Sequence, residues 1–383
     1  MKIGIACYPT FGGSGVVATE LAMGLAATGD EVHVFSYALP SRLDLTVPQV
    51  HYHEVVVPHY PLFDYPPYSL ALATKMVEVA RHQSLDLVHV HYAVPNAVSA
   101  VLARQILAPQ PLKVLTTLHG TDITLVGNDP NYLETTRYGI EQSDAVTAVS
   151  ESLRRSTIEK IGVRKPIEVV PNFIDPRRFE AVRDHPGVGR WAKPGEHVLV
   201  HISNFRPVKR VLDVVRIFEK VQSEMPARLL LVGDGPERAR VEQFCRDEGI
   251  CDAVTFIGNL SPVEETLVGA DLFLLPSDTE SFGLAALEAL SCEVPVIATE
   301  VGGLPEVVVE GECGHLLPVG DVDGMAAAAI ALLRDEERRR AYGLAGRRRA
   351  VEVFSEEKIL GRYRALYSRL VGEGQVAVRV GPR

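Results

Sequence analysis

The chain has little of what a secreted, membrane-spanning or nucleic-acid-binding protein needs. Its five cysteines, Cys7, Cys245, Cys251, Cys292 and Cys313, are few, odd in number and mostly set in apolar runs. That pattern excludes a disulfide framework and reads as reduced thiols, and no zinc-site spacing is present among them. No stretch approaches the roughly 20 apolar residues of a membrane span. The apolar run at residues 3–7 is too short for the core of a secretory signal, so cytoplasm is the expected compartment. Positive charge is scarce as well: 39 Lys and Arg face 49 Asp and Glu, a formal net charge of -10. Phosphate-backbone binding depends on basic surface, so nucleic acid is excluded as a general partner. An anionic substrate must instead meet a local basic pocket.

What is present is ordinary globular material. Hydrophobic residues make up 46% and charged residues 23%, which excludes a largely disordered chain. A length of 383 residues exceeds the roughly 250 to 300 at which one core stops growing, so two domains are expected. Short β-rich apolar runs alternate with longer helical stretches, the pattern of parallel sheets with crossover helices. Strands are expected over 2–7, 31–37, 86–91, 113–118 and 144–149, and again over 197–202, 228–232, 254–257, 272–275 and 294–298. Both halves read as Rossmann-like. Pro171, Pro176 and a polar Gly/Pro-rich stretch over 183–195 place the boundary near 175, giving domains over 1–175 and 176–354. Residues 355–371 read as a final amphipathic helix packing back on the first domain, with Ser355 as N-cap and Glu356 and Glu357 in its first turn. Residues 372–383 read as a flexible tail.

Open α/β sheets bind ligands beyond the carboxyl ends of their strands, so chemistry is sought just after each strand. After the first comes Pro9-Thr10-Phe11-Gly12-Gly13-Ser14-Gly15, then a helix from about Val16. Its glycines let backbone N–H groups approach an anion at a helix N-terminus. Gly13-Ser14-Gly15-Val16-Val17-Ala18 also fits the dinucleotide pattern G-x-G-x-x-A. Against a dehydrogenase, the glycines start several residues after the strand, and the next strand ends at Phe35-Ser36-Tyr37 with no carboxylate for a ribose. A merely flexible loop is the plain alternative.

A later strand runs out through Thr116-Thr117-Leu118 into His119-Gly120-Thr121-Asp122. His119 is a candidate donor to a sugar hydroxyl or phosphate, with Asp122 near enough to fix its tautomer; a satisfied structural histidine is the alternative. In His89-Val90-His91-Tyr92 the two histidines are expected on opposite faces of a strand, one packed inside, which argues against metal chelation by the pair.

Ser203-Asn204-Phe205-Arg206-Pro207-Val208-Lys209-Arg210 places three cations after one strand end. In an acidic protein that cluster suits a diphosphate, with a solvated basic face as the alternative. Farther on lies Glu280-Ser281-Phe282-Gly283-Leu284-Ala285-Ala286-Leu287-Glu288. Ser281 is expected to cap a helix, with Glu280 just outside it and Glu288 in its second to third turn. The N–H groups of Phe282, Gly283 and Leu284 would then meet negative charge. Paired carboxylates also suit a glycosidase, but Glu288 on an apolar helix is more natural as an acceptor for ribose hydroxyls. Arg338-Arg339-Arg340 and Arg347-Arg348-Arg349, beside Asp335, Glu336 and Glu337, read as solvated, salt-bridged helix faces rather than a membrane patch.

Together these residues resemble the retaining glycosyltransferases of the GT-B fold, an α/β architecture of two Rossmann-like doubly wound domains facing each other across a cleft. Glu280 and Glu288 match that family's Glu-x7-Glu motif, and Phe282-Gly283-Leu284 match its middle. Three phrases are most similar to one branch of the family: Gly12-Gly13-Ser14-Gly15-Val16-Val17-Ala18-Thr19-Glu20-Leu21, Thr117-Leu118-His119-Gly120-Thr121-Asp122-Ile123-Thr124 and Ser143-Asp144-Ala145-Val146-Thr147-Ala148-Val149-Ser150. Members of that branch move N-acetylglucosamine from UDP-N-acetylglucosamine (UDP-GlcNAc) to the 2-hydroxyl of L-malate, the first step of bacillithiol biosynthesis. The match covers nearly the whole chain up to the tail.

The resemblance implies an acceptor-binding first domain and a nucleotide-sugar-binding second domain. It puts Glu288 on the donor ribose, Lys209 on the diphosphate, Glu280 on the transferred sugar and His119 near the sugar's 6-hydroxyl. His119, Glu280, Lys209 and Arg206 form the implied catalytic set, and Gly15, Asn204, Phe282, Gly283 and Leu284 join the donor contacts. The family's usual Arg five residues before the Lys is Asn204 here, with Arg206 placed to compensate; the malate branch shares this Ser-Asn-Phe-Arg form. The dicarboxylate acceptor would meet Ser14, Tyr92, Thr117 and Thr121, and the cation Arg137. The plain alternative for Arg137 is surface pairing with Glu134 or Glu141.

Front-face attack, with the departing phosphate accepting the malate proton, is the family-level expectation. No metal is needed, the only Asp-x-Asp being Asp321-Val322-Asp323 far along the chain, and no cofactor is implied, because the UDP-sugar is a substrate. Small molecules are the expected partners, without nucleic acid or membrane insertion, and a homo-oligomer is left open. The rivals are the same fold with inositol phosphate or a lipid-linked sugar as acceptor, a UDP-GlcNAc epimerase, and a nucleotide-sugar-binding module.

Overall fold

Strands that are apolar on both faces need helices on both sides, and parallel strands need crossovers long enough to supply them. The computed structural model follows that logic twice. It describes residues 1–10, 13–58, 65–124, 126–127, 129–178, 191, 193–260 and 263–379. The chain divides into one unit of Met1–Asn172 with Glu357–Arg383, and a second of Phe173–Glu356.

The first unit runs β1 (Lys2–Ala6), α1 (Ser14–Ala27), β2 (Glu31–Ser36), β3 (Val50–Glu54), α2 (Tyr68–Gln83), β4 (Leu87–His91), α3 (Val98–Leu107), β5 (Lys113–Leu118), α4 (Thr121–Thr124), α5 (Leu133–Gln142), β6 (Ala145–Ala148), α6 (Glu151–Ile161) and β7 (Ile167–Val169). Its seven strands pair in parallel in the order β3-β2-β1-β4-β5-β6-β7. The second unit runs β8 (His197–Ile202), α7 (Val211–Gln222), β9 (Ala227–Val232), α8 (Arg238–Asp247), β10 (Val254–Gly258), α9 (Glu264–Leu267), β11 (Leu272–Leu275), α10 (Leu284–Ser291), β12 (Val296–Thr299), α11 (Leu304–Val307), β13 (Gly314–Leu317), α12 (Val322–Arg334) and α13 (Glu336–Phe354). Its six strands are also parallel, in the order β10-β9-β8-β11-β12-β13. The last helix, α14 (Glu356–Arg379), belongs to the first unit.

All ten strands expected from the apolar runs are present. The three others carry weak signals: β3 reads Val-His-Tyr-His-Glu at a sheet edge, β7 has three residues, and β13 opens on glycine. The division falls after Asn172 rather than at 175, and α14 continues to Arg379 instead of ending at 371. Between the start of α14 and Pro382 the chain has no proline, so no missing N–H or ring clash ends the helix at 371.

The core of each unit lies between its sheet and its helices. In the first, Phe35, Val88 and Val114 of the sheet bury Leu72 and Met76 of α2. In the second, Leu229 and Leu231 face Phe218 of α7 and Leu332 of α12. The two arginine runs differ from expectation in part: Arg338, Arg340 and Arg348 are exposed as expected, and the other three are not. Arg347 donates to the Ser291 carbonyl at the end of α10 (2.6 Å), and Arg349 to the Glu306 and Val307 carbonyls at the end of α11 (both 2.8 Å). Arg339 pairs with Asp271 at 3.1 Å. Helix C-termini carry unpaired carbonyls and partial negative charge, so these guanidiniums are drawn onto the protein instead of standing in solvent.

α14 buries Tyr363 and Tyr367 against the first sheet, and the Tyr367 hydroxyl bonds His89 Nδ1 at 2.7 Å. Arg369 pairs with Glu168 at 3.0 Å beside it. Tyr367→Ala should cost the first unit about 3 to 5 kcal/mol, the range for deleting a buried aromatic ring. Tyr367→Phe, which loses only the hydrogen bond, should cost about 1 to 2 kcal/mol. Urea unfolding followed by circular dichroism checks both.

Candidate functional site

In the first sheet β1 and β4 are neighbours whose connections leave in opposite directions; in the second, β8 and β11 stand in the same relation. A doubly wound sheet opens a crevice at such a switch point, beyond the carboxyl ends of the strands. The expected site loops fall there: after β1, β4 and β5 in one unit, and after β8 and β11 in the other.

Ser14 and Gly15 form the first turn of α1, two positions earlier than the expected start at Val16. A Cβ on Gly15 would lie 2.6 Å from the Tyr8 carbonyl oxygen, so only glycine lets the chain return this close to itself. Phe11 and Gly12 lie outside the described residues. Tyr92, directly after β4, holds φ 82°, a left-handed conformation costly for a bulky residue and typical of sites where a side chain is aimed. Its ring packs edge-on to Tyr8 at 5.4 Å and tilted against His119 at 5.5 Å. Thr121 opens α4 and is half-buried.

His89, His91 and His119 form a stacked row, with ring centroids 4.5 Å and then 5.0 Å apart. This corrects the expectation that His89 and His91 face opposite ways: residues two apart on a strand share a face. His91 Nδ1 shares a 2.8 Å hydrogen bond with His119 Nε2. Asp122, expected to hold the His119 tautomer, instead accepts the N–H groups of Ala93, His119 and Gly120. Its carboxylate is spent on shaping the loop, so the imidazole is fixed by His91. Burial pushes the His89 and His119 pKa values down to about 3, and holds His91 well below its ordinary range. The row is therefore neutral at physiological pH, each ring offering one donor and one acceptor.

Two acceptor expectations meet contrary geometry. Thr117 is fully buried, and its hydroxyl is taken up by His89 Nε2 (2.6 Å), Thr147 Oγ1 (2.6 Å) and Tyr363 Oη (3.4 Å). A hydroxyl has one proton and two lone pairs, so it has nothing left for a ligand. Arg137 donates to Glu134 and to the Ile161 carbonyl that ends α6, both at 2.7 Å. α6 ends where the chain enters β7, at the amino edge of the sheet. Arg137 is thus turned away from the carboxyl edge that carries His119, and takes the surface-pairing role.

In the second unit the loop after β8 is pinned by Phe205, which is fully buried and held at φ 39°. That anchor leaves Asn204 and Arg206 exposed on either side. Lys209 pairs with Glu280, whose Oε1 also accepts from Ser277 Oγ at 3.0 Å. Arg210 is committed to Asp213 (2.5 Å) and Asp278 (3.0 Å). The Asp278 N–H donates to the Val208 carbonyl at 2.8 Å, so three ties join the loops after β8 and β11. Of the three cations, Arg206 alone forms no ion pair among the described residues.

Ser281 does not cap α10. The helix starts at Leu284 behind Gly283, which sits at φ 97° without a side-chain cap, and this puts the buried Glu288 early in the second turn. The first turn of α10 therefore presents N–H groups with no helical partner at the loop carrying Glu280. Phe282 is buried and packs edge-on to Phe354 at 5.6 Å, fixing the backbone that Gly283 and Leu284 continue.

Tyr8, His91 and the turn Val301-Gly302-Gly303 were not foreseen as parts of these clusters. The Gly303 N–H donates to the Glu280 carbonyl at 2.9 Å, and a Cβ on Gly302, at φ 56°, would lie 1.8 Å from that same oxygen. Two consecutive glycines just after an apolar strand were the available signal. Asp321 caps α12 through the Gly324 N–H, and Asp323 pairs with Lys220 at 2.9 Å, so the Asp-x-Asp serves the fold.

The depressed histidines predict how stability varies with pH. Their folded pKa values lie below the roughly 6.5 of an unfolded chain, so the unfolded state binds more protons as pH falls. The stabilisation is complete above pH 6.5 and is lost progressively between 6.5 and about 3. The urea midpoint of the first unit should fall between pH 7 and pH 5, and His89→Gln should flatten that fall. A midpoint constant over this window is the contrary result.

Residues 11–178 match the family Glycosyltransferase Family 4, and residues 190–349 match Glycosyl transferases group 1. The N-acetyl-alpha-D-glucosaminyl L-malate synthase of Bacillus anthracis is 49% identical over 372 residues, 96% of each chain. Two solved structures share the fold. A sucrose-phosphate synthase from Thermosynechococcus elongatus superposes with a TM-score of 0.81 at 24% identity, over 97% of this chain and 100% of that one. Anabaena Alr3699/HepE, in complex with UDP and glucose, superposes with a TM-score of 0.82 at 19% identity, over 96% and 99%. On the near-full-length identity with the synthase, the chain belongs to the glycosyltransferases of the GT-B fold, in the N-acetyl-alpha-D-glucosaminyl L-malate synthase family.

Proposed function

We propose that the enzyme transfers N-acetylglucosamine from UDP-GlcNAc to the 2-hydroxyl of L-malate with retention of configuration, the first step of bacillithiol biosynthesis. The observation that carries this reading is the 49% identity, over 96% of both chains, with a protein named for that product. The α linkage in that name matches the α linkage of the donor, which is retention. The bond from C1 to the UDP oxygen breaks as the bond from the malate oxygen to C1 forms. UDP leaves with the electron pair, and its phosphate oxygen takes the malate hydroxyl proton on the same face.

In this reading the second unit holds the donor. Glu288 accepts from the ribose hydroxyls, and the open N–H groups at Gly283 and Leu284 meet the diphosphate. Arg206, exposed and free of an ion pair among the described residues, supplies net positive charge, with Asn204 donating beside it. Lys209 arrives already paired with Glu280, so its charge is shared between the phosphate and a carboxylate that touches the sugar. Catalysis then rests on stabilising the leaving diphosphate and on positioning. In the first unit, neutral His119 acts as a hydrogen-bond partner near the 6-hydroxyl, not as a titrating acid. With Thr117 and Arg137 engaged elsewhere, the malate carboxylates are assigned to Ser14 at the N-terminus of α1, and to Tyr92 and Thr121, while Gly15 beside Ser14 stays a donor contact. No step uses a metal, and the compartment is cytoplasmic; no described helix is long and apolar enough to cross a membrane.

UDP release in an acceptor screen tests the assignment. L-malate should stimulate it strongly, and inositol phosphate should not. Silence with malate overturns the acceptor, and interconversion of the donor alone indicates an epimerase. Glu288→Gln should weaken UDP binding about tenfold, the loss of one charge-assisted hydrogen bond, with the malate KM unchanged. EDTA should leave turnover intact; loss restored by a divalent ion would place a metal in the reaction.

A further inference from the structure

Glu31 and His33 on β2, and His51 and His53 on β3, take no part in the proposed transfer. β2 and β3 pair in parallel with His33 opposite His51 and Phe35 opposite His53. Period-two alternation therefore puts all four on one face of the sheet, and β3 is its edge strand. Ligand atoms of Glu31, His33 and His51 all lie within 4.8 Å of one another, the one such group of three among the described residues. Glu31 Oε1 is 3.1 Å from His33 Nε2, while the other Glu31 oxygen holds Lys2 Nζ at 3.2 Å. His33 Nδ1 bonds His53 Nε2 at 2.9 Å.

We propose that Glu31, His33 and His51 bind a zinc ion on the edge of the first unit's sheet, clasping β3 to β2. Two imidazoles and one carboxylate suit a borderline divalent ion, and zinc accepts three protein ligands with water as the fourth. Metal bonds of about 2.0 to 2.2 Å in a tetrahedron put ligand atoms roughly 3.4 Å apart. The Glu31–His33 pair already has that spacing. His51 is exposed and its ring stacks 4.9 Å from His33, so it reaches the position by rotating about χ2, a soft torsion. His53 supplies the outer partner that a zinc-bound histidine uses: it accepts the Nδ1 proton of His33, fixing the tautomer that leaves Nε2 for the ion. The site joins residues 31–33 to residue 51 across the intervening chain, so its consequence is stability of the edge strand. It is independent of the transferase reading.

Chelator-stripped full-length enzyme titrated with Zn²⁺ alone in a calorimeter tests the proposal. One ion should bind per chain and raise Tm. His51→Ala, an exposed position where the fold is retained, should weaken binding more than about 100-fold and abolish the Tm rise. His53→Ala, which removes only the outer partner, should weaken it about 10- to 100-fold. Absence of zinc binding, or zinc binding to His51→Ala as tightly as to the parent, overturns the proposal.

Discussion

Parallel pairing is the constraint on which the rest depends. A parallel strand cannot turn back on itself in a hairpin, so its neighbour is reached by a crossover, helical in most cases and an irregular loop between β2 and β3, and every carboxyl end emerges at the same edge. Thirteen strands obey this in two sheets. As a result, segments separated by tens of residues in sequence meet as neighbours: the glycine loop with Tyr92 and His119 in one unit, the basic loop with Glu280 and Gly302 in the other. The strand-order reversal then sets which loops flank each crevice.

Around those loops, buried groups do the positioning and leave their neighbours exposed. Phe205 is sunk in the core so that Asn204 and Arg206 stand out; Phe282 is sunk so that Gly283 and Leu284 open a helix. Tyr92, Phe205 and Arg210 all occupy positive φ at strand-end loops. Each such residue costs about 1 to 3 kcal/mol and persists only where its surroundings enforce it. The same division holds for charge. Arg210 and Lys209 are balanced by Asp213, Asp278 and Glu280, while Arg206 forms no ion pair among the described residues.

The first unit organises polarity without charge. His89, His91 and His119 are stacked and neutral, and His89 is bonded to Tyr367 of α14 directly and to Tyr363 through Thr117. Both His89 nitrogens and His91 Nδ1 find partners while His91 Nε2 finds none among the described residues, and an ionised imidazole would be far less tolerated there. The final helix thereby reaches His89 by hydrogen bonds, and from there His91 and the His119 ring that Tyr92 packs against by ring stacking.

Periodicity, glycine placement and the Glu-x7-Glu spacing were enough, on sequence alone, for the α/β class, ten of the strands, the loops after β1, β5, β8 and β11, and the family. Those features are local: an apolar run, a turn or a motif is legible wherever its cause lies within a few residues. What failed depended on distant partners. Thr117 looks available until Thr147 and Tyr363 take its hydroxyl, Arg137 until the end of α6 accepts it, and Arg347 and Arg349 of α13 until the carbonyls of α10 and α11 do. Ser281 has the chemistry of a cap, but Gly283 can adopt φ 97° and starts the helix two residues later than such a cap would. The sequence by itself determined which residue types stand at each strand end. Only the tertiary structure decided which of them remain open to a ligand, because a polar side chain is claimed by whichever partner the fold brings within hydrogen-bond reach, and that partner is encoded elsewhere in the chain.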